Sequence, residues 1–207
     1  MKKILRRFRF SKHEVIDLLK AWIVISLAFA IVLTPNKFSM DLLYNILLAA
    51  ITVGVGFLLH ELAHKKLAQK YGCLAEFIAF DSMLLFALLT SFLGIVFAAP
   101  GAVFISGNVN IERNGRISAA GPITNLILAF IFLIMQFFTV SGTFLEQIAS
   151  YGFIVNSWLA LFNMIPFWNF DGKKVFYWNK TVYLTIVVIA VVFLFFINSI
   201  IQIIHLL

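Results

Sequence analysis

Long apolar stretches separated by short polar ones run the length of this chain, and their lengths predict membrane-crossing helices rather than the one-sided faces of a soluble core. Ala21 to Leu33 is the first apolar run, Thr34 to Met40 a polar turn, and Leu42 to Leu59 a run without a single charge. A membrane helix needs about 20 such residues. Met83 to Ile105 is apolar again but is broken by Gly94, Pro100 and Gly101, and Ile117 to Thr139, Ile148 to Pro166 and Thr181 to Leu207 follow. The pattern predicts an all-α polytopic membrane protein with about five spans and one re-entrant segment, six apolar segments in all. A small β-hairpin is expected over Asn108 to Ser118, because Asn108 to Arg113 alternates polar and apolar and Asn114-Gly115 is a strong hairpin signal.

Charge orients these segments. Residues 1–20 hold seven of the sixteen Lys and Arg with apolar residues between them, a basic juxtamembrane segment expected to lie on anionic lipid on the cytoplasmic side. Residues 21–207 form one transmembrane domain, with its core over residues 42–172. Ala28-Phe29-Ala30 resembles a signal-peptidase site but lies within the first run, which is therefore read as a retained span. Lys65, Lys66 and Lys70 mark a cytoplasmic exit for the second. If Met83 to Ile105 crossed fully, Arg113, Arg116, Lys173, Lys174 and Lys180 would fall outside; if it dips in and returns, they stay cytoplasmic, which the positive-inside bias favours. The expected location is the cell membrane, multi-pass, with a cytoplasmic N-terminus.

Composition agrees: 62% of the 207 residues are hydrophobic, mean hydropathy is +1.02 and Phe alone occurs 24 times, far from a soluble domain. The net charge of +7 lies between apolar runs, so it speaks for lipid headgroups and against nucleic acid. Cys73 is the one cysteine, which excludes an intrachain disulfide and a Cys-x-x-Cys metal knuckle. It reads as a small buried hydrophobe, and His13 and His205, alone near the ends, as incidental.

Candidate chemistry enters where the second span ends in His60-Glu61-Leu62-Ala63-His64. Histidines one helical turn apart lie about 6 Å apart along the axis and roughly 40° around it, so both can face one ion. Two imidazoles suit a borderline dication, and a carboxylate beside them can take a proton from an attacking water: the pattern of zinc hydrolases. Ionisable side chains inside a membrane helix are costly and mark function. A catalytic zinc needs a third protein ligand. The soluble continuation, a third histidine six residues on, is absent, since Lys70 stands there. Of the nine acids, Glu14, Asp17 and Asp41 flank spans, Glu76, Asp81, Glu112 and Glu146 lie in polar connections, and Glu61 is taken. Asp171 remains, after a helix broken at Pro166 among aromatic residues, with Gly172 allowing close backbone approach. It reads either as a ligand or as a polar cap where the chain leaves the bilayer. Asn125, one turn inside its helix, is either a donor to a tetrahedral oxyanion or an interhelical hydrogen bond.

Three motifs in order, His60-Glu61-Leu62-Ala63-His64, Gly121-Pro122-Ile123-Thr124-Asn125, and Asn163-x-x-Pro166 running to Asp171-Gly172, resemble the site-2 proteases, zinc intramembrane metalloproteases. The resemblance covers about Leu42 to Gly172. It implies one zinc per chain held by His60, His64 and Asp171, Glu61 activating water, and Asn125 holding the substrate or the oxyanion. The usual Leu-Asp-Gly is Phe170-Asp171-Gly172 here, and prolines often found before it are replaced by Trp168 and Asn169, which bears on the substrate pocket. The expected activity is a zinc-dependent endopeptidase cutting within or near a transmembrane segment of a membrane-protein substrate, with the lipid bilayer and that substrate as partners. Alternatives are an inactive zinc-binding membrane scaffold and a metal transporter; the absence of repeated halves speaks against transport. The sequence names neither substrate nor oligomeric state.

Overall fold

The computed structural model describes residues 9–96 and 99–197. Among the described residues eight α-helices and two strands follow in the order α1 (Lys12–Leu33), α2 (Asp41–Ala49), α3 (Val55–Lys70), β1 (Leu74–Ala79), α4 (Asp81–Ser91), β2 (Gly101–Ser106), α5 (Ile111–Gln136), α6 (Phe144–Asn163), α7 (Asp171–Trp178) and α8 (Lys180–Val191). One π-helical turn, Ala50–Gly54, joins α2 to α3, so that Asp41 to Lys70 is a single 30-residue helix; another, Val192–Ile197, extends α8. In the first π turn Ala50 O accepts from Val55 N–H, five residues on, and also from the Trp22 indole of α1 at 3.1 Å.

Three helices, Lys12–Leu33, Asp41–Lys70 and Ile111–Gln136, are long and apolar enough to cross a membrane. These match three of the about five expected spans. Helix α6 has 20 residues, but Glu146, Gln147, Asn156 and Asn163 dilute its apolar character, and α8 is shorter. The end of the last expected span, His205 and most of the basic stretch before Arg9 lie outside the described residues. The outward faces support a lipid-like surround. Along α5, Ile127, Phe130, Ile131 and Ile134 are all exposed, a continuous apolar stripe that water would penalise.

Local chemistry sets the helix starts. Ser11 Oγ accepts from Glu14 N at 3.0 Å, Asn110 Oδ1 from Arg113 N at 2.8 Å, Thr143 Oγ1 from Glu146 N at 3.3 Å, each a side-chain N-cap. The Asn110 cap corrects one expectation. Asn108 to Ser118 is not a hairpin, because Ile111 already begins α5 and Asn114-Gly115 lies within its first turns. Gly115 serves packing instead: a Cβ there would come within 2.2 Å of the Trp178 side chain.

The hairpin-like element lies earlier. β1 and β2 pair antiparallel from Leu74 with Ser106 to Ala79 with Gly101. β1 shows the period-2 alternation of a half-buried strand, with Ala75 and Phe77 inside and Leu74, Glu76 and Ile78 outside. The pairing of Ala79 with Gly101 means that the apolar stretch between them, containing α4, returns to the place it left. α5 runs through the middle of the bundle, packed on α3, α6 and α7, and one core cluster joins α1, α3, β1 and α6 through Ile25, Phe57, Phe77 and Val155.

Candidate metal centre

His60 and His64 stand on the same face of α3, ring centroids 4.6 Å apart and nearly perpendicular. Their Nε2 atoms lie 3.3 and 3.1 Å from one oxygen, Asp171 Oδ2. One ligand atom from each of the three residues falls within 4.8 Å of the others, and all three residues are buried. Asp171 reaches this point as the first residue of α7, and Gly172 makes the approach possible. A Cβ at Gly172 would lie 2.2 Å from Met164 O, so only a glycine lets the start of α7 fold back onto the end of α6.

The outer edges of the two rings decide what the inner edges can do. His64 Nδ1 donates to Ile117 O at 2.8 Å, since a carbonyl can only accept. His60 Nδ1 lies 2.6 Å from Asn125 Oδ1, and the orientation of that amide is fixed by Asn125 Nδ2, which donates to Gly56 O at 3.2 Å and to Asn156 Oδ1 at 3.0 Å. Both imidazoles thus donate from, or are held at, Nδ1, which leaves Nε2 as the ring atom turned toward the carboxylate. Three possible ligand atoms converge, a donor set that a metal cation between them would satisfy. Gly121 supplies the room: a Cβ there would sit 2.5 Å from both Nε2 atoms. Two imidazoles and a carboxylate, oriented from behind by a carbonyl and an amide, fit a borderline dication such as zinc.

Glu61 is buried on the same turn of α3. Among the described residues none donates a hydrogen bond to its carboxylate, which is therefore free to accept a proton.

The structure thus gathers His60, Glu61, His64 and Asp171, the residues singled out in the sequence. Asn125 joins them differently from its oxyanion reading, as a fully buried amide whose oxygen and nitrogen are both engaged, the oxygen on His60. Asn156 and Gly56 were not foreseen. Asn156 is an isolated amide in the apolar run of α6, which is the signal that marks it. Lys65 also departs from its reading as an exit marker. It is 2% exposed, its Nζ 2.7 Å from Glu14 Oε1 and 3.0 Å from Ala75 O.

Fold and site together define a helical protein in which two histidines and an aspartate, buried beside Glu61, form a group that could hold a metal ion. The chain is 40% identical over 178 residues to a protein of Methanocaldococcus jannaschii named "Putative zinc metalloprotease MJ0611", a match covering 85% of this chain and 90% of that one. It is 28% identical over 122 residues, 58% of this chain and 31% of the relative, to "Zinc metalloprotease MJ0392" of the same organism. No family model matches the sequence. No solved structure matches it. The chain belongs to the zinc metalloprotease family that the first of these relatives represents.

Proposed function

We propose that this zinc metalloprotease is an intramembrane endopeptidase of the site-2 protease type, cutting a peptide bond within or near a transmembrane segment of its substrate. The observation that carries the reading is the placement of His60, Glu61 and His64 in a 30-residue helix that contains an 18-residue stretch of mean hydropathy 2.2. A soluble protease has no use for a metal site at the end of such a helix.

His60, His64 and Asp171 would hold one zinc. Bound there, zinc would polarise the scissile carbonyl and make a water acidic enough to deprotonate near neutral pH. Glu61 takes the proton from the attacking water and delivers it to the leaving amine. Asn125 orients His60. The N-terminus lies on the cytoplasmic side, and the stretch from α4 to β2 dips into the membrane and returns, which keeps Arg113, Arg116 and Lys174 at the cytoplasmic face.

A helical substrate hides its carbonyls and must be extended before attack. Strand addition to a sheet edge does this, and the two edges of this sheet differ. That of β1 is already taken: Phe77 N donates to Glu14 Oε1 at 3.0 Å, Ala79 N to Asp17 Oδ2 at 2.9 Å, and Ala75 O accepts from Lys65. The edge of β2 is the one left to receive a substrate strand.

Cleavage of a single-span reporter in detergent or liposomes by the purified protein tests the reading. Cleavage abolished by a chelator and restored by zinc is expected. Zinc-dependent cleavage of soluble peptides with the span untouched would leave a metalloprotease but remove the intramembrane assignment. Zinc binding without any cleavage would favour a scaffold.

A further inference from the structure

The two histidines are held in unequal ways, and the inequality points to a residue with no assigned role. His64 is oriented by a main-chain carbonyl, Ile117 O, which no substitution can remove. His60 depends on a side-chain amide, Asn125, and an amide can rotate to exchange its oxygen and nitrogen. In the rotated state Asn125 would present N–H groups to His60 Nδ1, drive the imidazole proton to Nε2, and close the face that Asp171 shares. Something must forbid that rotation.

Asn156 does so, together with Gly56 O. Its Oδ1 accepts from Asn125 Nδ2 at 3.0 Å, while its own Nδ2 donates to Gly152 O, one turn back on α6, at 2.9 Å. The carbonyl of Gly152 can only accept, so it settles which way Asn156 faces, and Asn156 in turn settles Asn125. Both amides are 0% exposed. The space is shaped for the contact: a Cβ on Gly56 would lie 2.4 Å from Asn156 Oδ1. Polar side chains this deep in apolar helices are costly and are kept for a purpose.

We propose that Asn156 is a positioning residue of the metal centre, which fixes the proton of His60 on Nδ1 through Asn125 and so keeps Nε2 available for zinc. The chain of donation runs from α6 through α5 to α3: Asn156 to Gly152 O, Asn125 to Asn156, His60 to Asn125. It rests on the zinc-site reading but not on the substrate.

Zinc affinity of the full-length protein, measured by competition with a chromophoric chelator, tests it without reference to cleavage. Asn156→Ser keeps a hydroxyl able to bond Gly152 O, as Ser157 bonds Phe153 O at 2.8 Å, but is too short to reach Asn125. It is expected to weaken zinc binding about 10-fold, the low end of the loss when a metal ligand loses its own orienting partner, because Gly56 O still accepts from Asn125. Asn156→Asp, neutral at this depth, presents an O–H to Gly152 O and a carbonyl to Asn125, and is expected to restore near wild-type affinity. In an Asn125→Ala background Asn156→Ser should cost nothing further, because its effect passes through Asn125. If the serine variant does not fold, Asn156→Leu, which fills the volume, takes its place with the same expected loss. Unchanged affinity in a folded Ser or Leu variant, or an equal further loss in the Asn125→Ala background, would overturn the relay while leaving the metalloprotease intact. A wild-type protein that bound no zinc would overturn both.

Discussion

Residues 64 and 65 are neighbours on one helix, and each belongs to a buried polar cluster of opposite character. Lys65 meets Glu14, opposite charges in contact, with Ala75 O and Phe77 N bonded to the same pair. His64 meets His60 and Asp171, where two ring nitrogens share one carboxylate oxygen. The first cluster is complete as it stands and ties α1, α3 and β1 together. The second is completed only by a cation. Burial alone therefore does not separate structural from chemical groups; complementarity of the partners does, since a satisfied pair has nothing left to offer a ligand.

The largest effect that can break this contrast is at the open cluster. His60→Ala should lose zinc and cleavage together, whereas Glu61→Gln, which keeps the shape but cannot take a proton, should keep zinc while cleavage falls by about 10² to 10⁴. Metal analysis and reporter cleavage on the two variants read this directly. Equal zinc loss in both would make Glu61 a ligand.

At the closed cluster the effect should appear in stability. Lys65→Met leaves Glu14 buried without its counter-charge, at an expected cost of about 3–5 kcal/mol. Replacing both, Glu14→Leu with Lys65→Met, should recover most of that loss in thermal unfolding and leave zinc binding unchanged. A double variant that folded but lost zinc would show that the two clusters are one site.

Asp171→Ala is the mildest of the three for the fold, because the side chain begins a helix rather than filling a core. Its zinc affinity should drop with little change in melting temperature. Native affinity in that variant would return Asp171 to the role of a helix-end cap.

The site was far more legible in the sequence than the surrounding architecture. His60 and His64 declare themselves by spacing inside an apolar helix, and Asp171 by elimination among few acids, since membrane segments carry so little charge that each exception is informative. The sheet was not legible because its strands are 21 residues apart along the chain, from Ala79 to Gly101 at the nearest, while Asn114-Gly115 offered a purely local hairpin signal. The Asn110 cap and the long apolar run behind it outweigh that signal. Lys65 was read only as one of three lysines marking an exit, because nothing local indicates a partner 51 positions upstream. Asn156 needed three helices in place before its role could be seen.

The π turn ahead of α3 has a consequence of phase. Each residue of an α-helix advances the side-chain direction by about 100°, and a π turn absorbs one extra residue without lengthening the hydrogen-bonded ladder. Ala50–Gly54 therefore takes up one residue between the half of the helix that packs on α1 and the half that presents His60 and His64, with the Trp22 indole clamping its carbonyl. Removing one residue from it would leave composition and length almost untouched. It would let the turn close to ordinary α-helical geometry and withdraw the Ala50 carbonyl from the Trp22 indole, a lesion in how the helix is seated on α1 with no residue of the site altered.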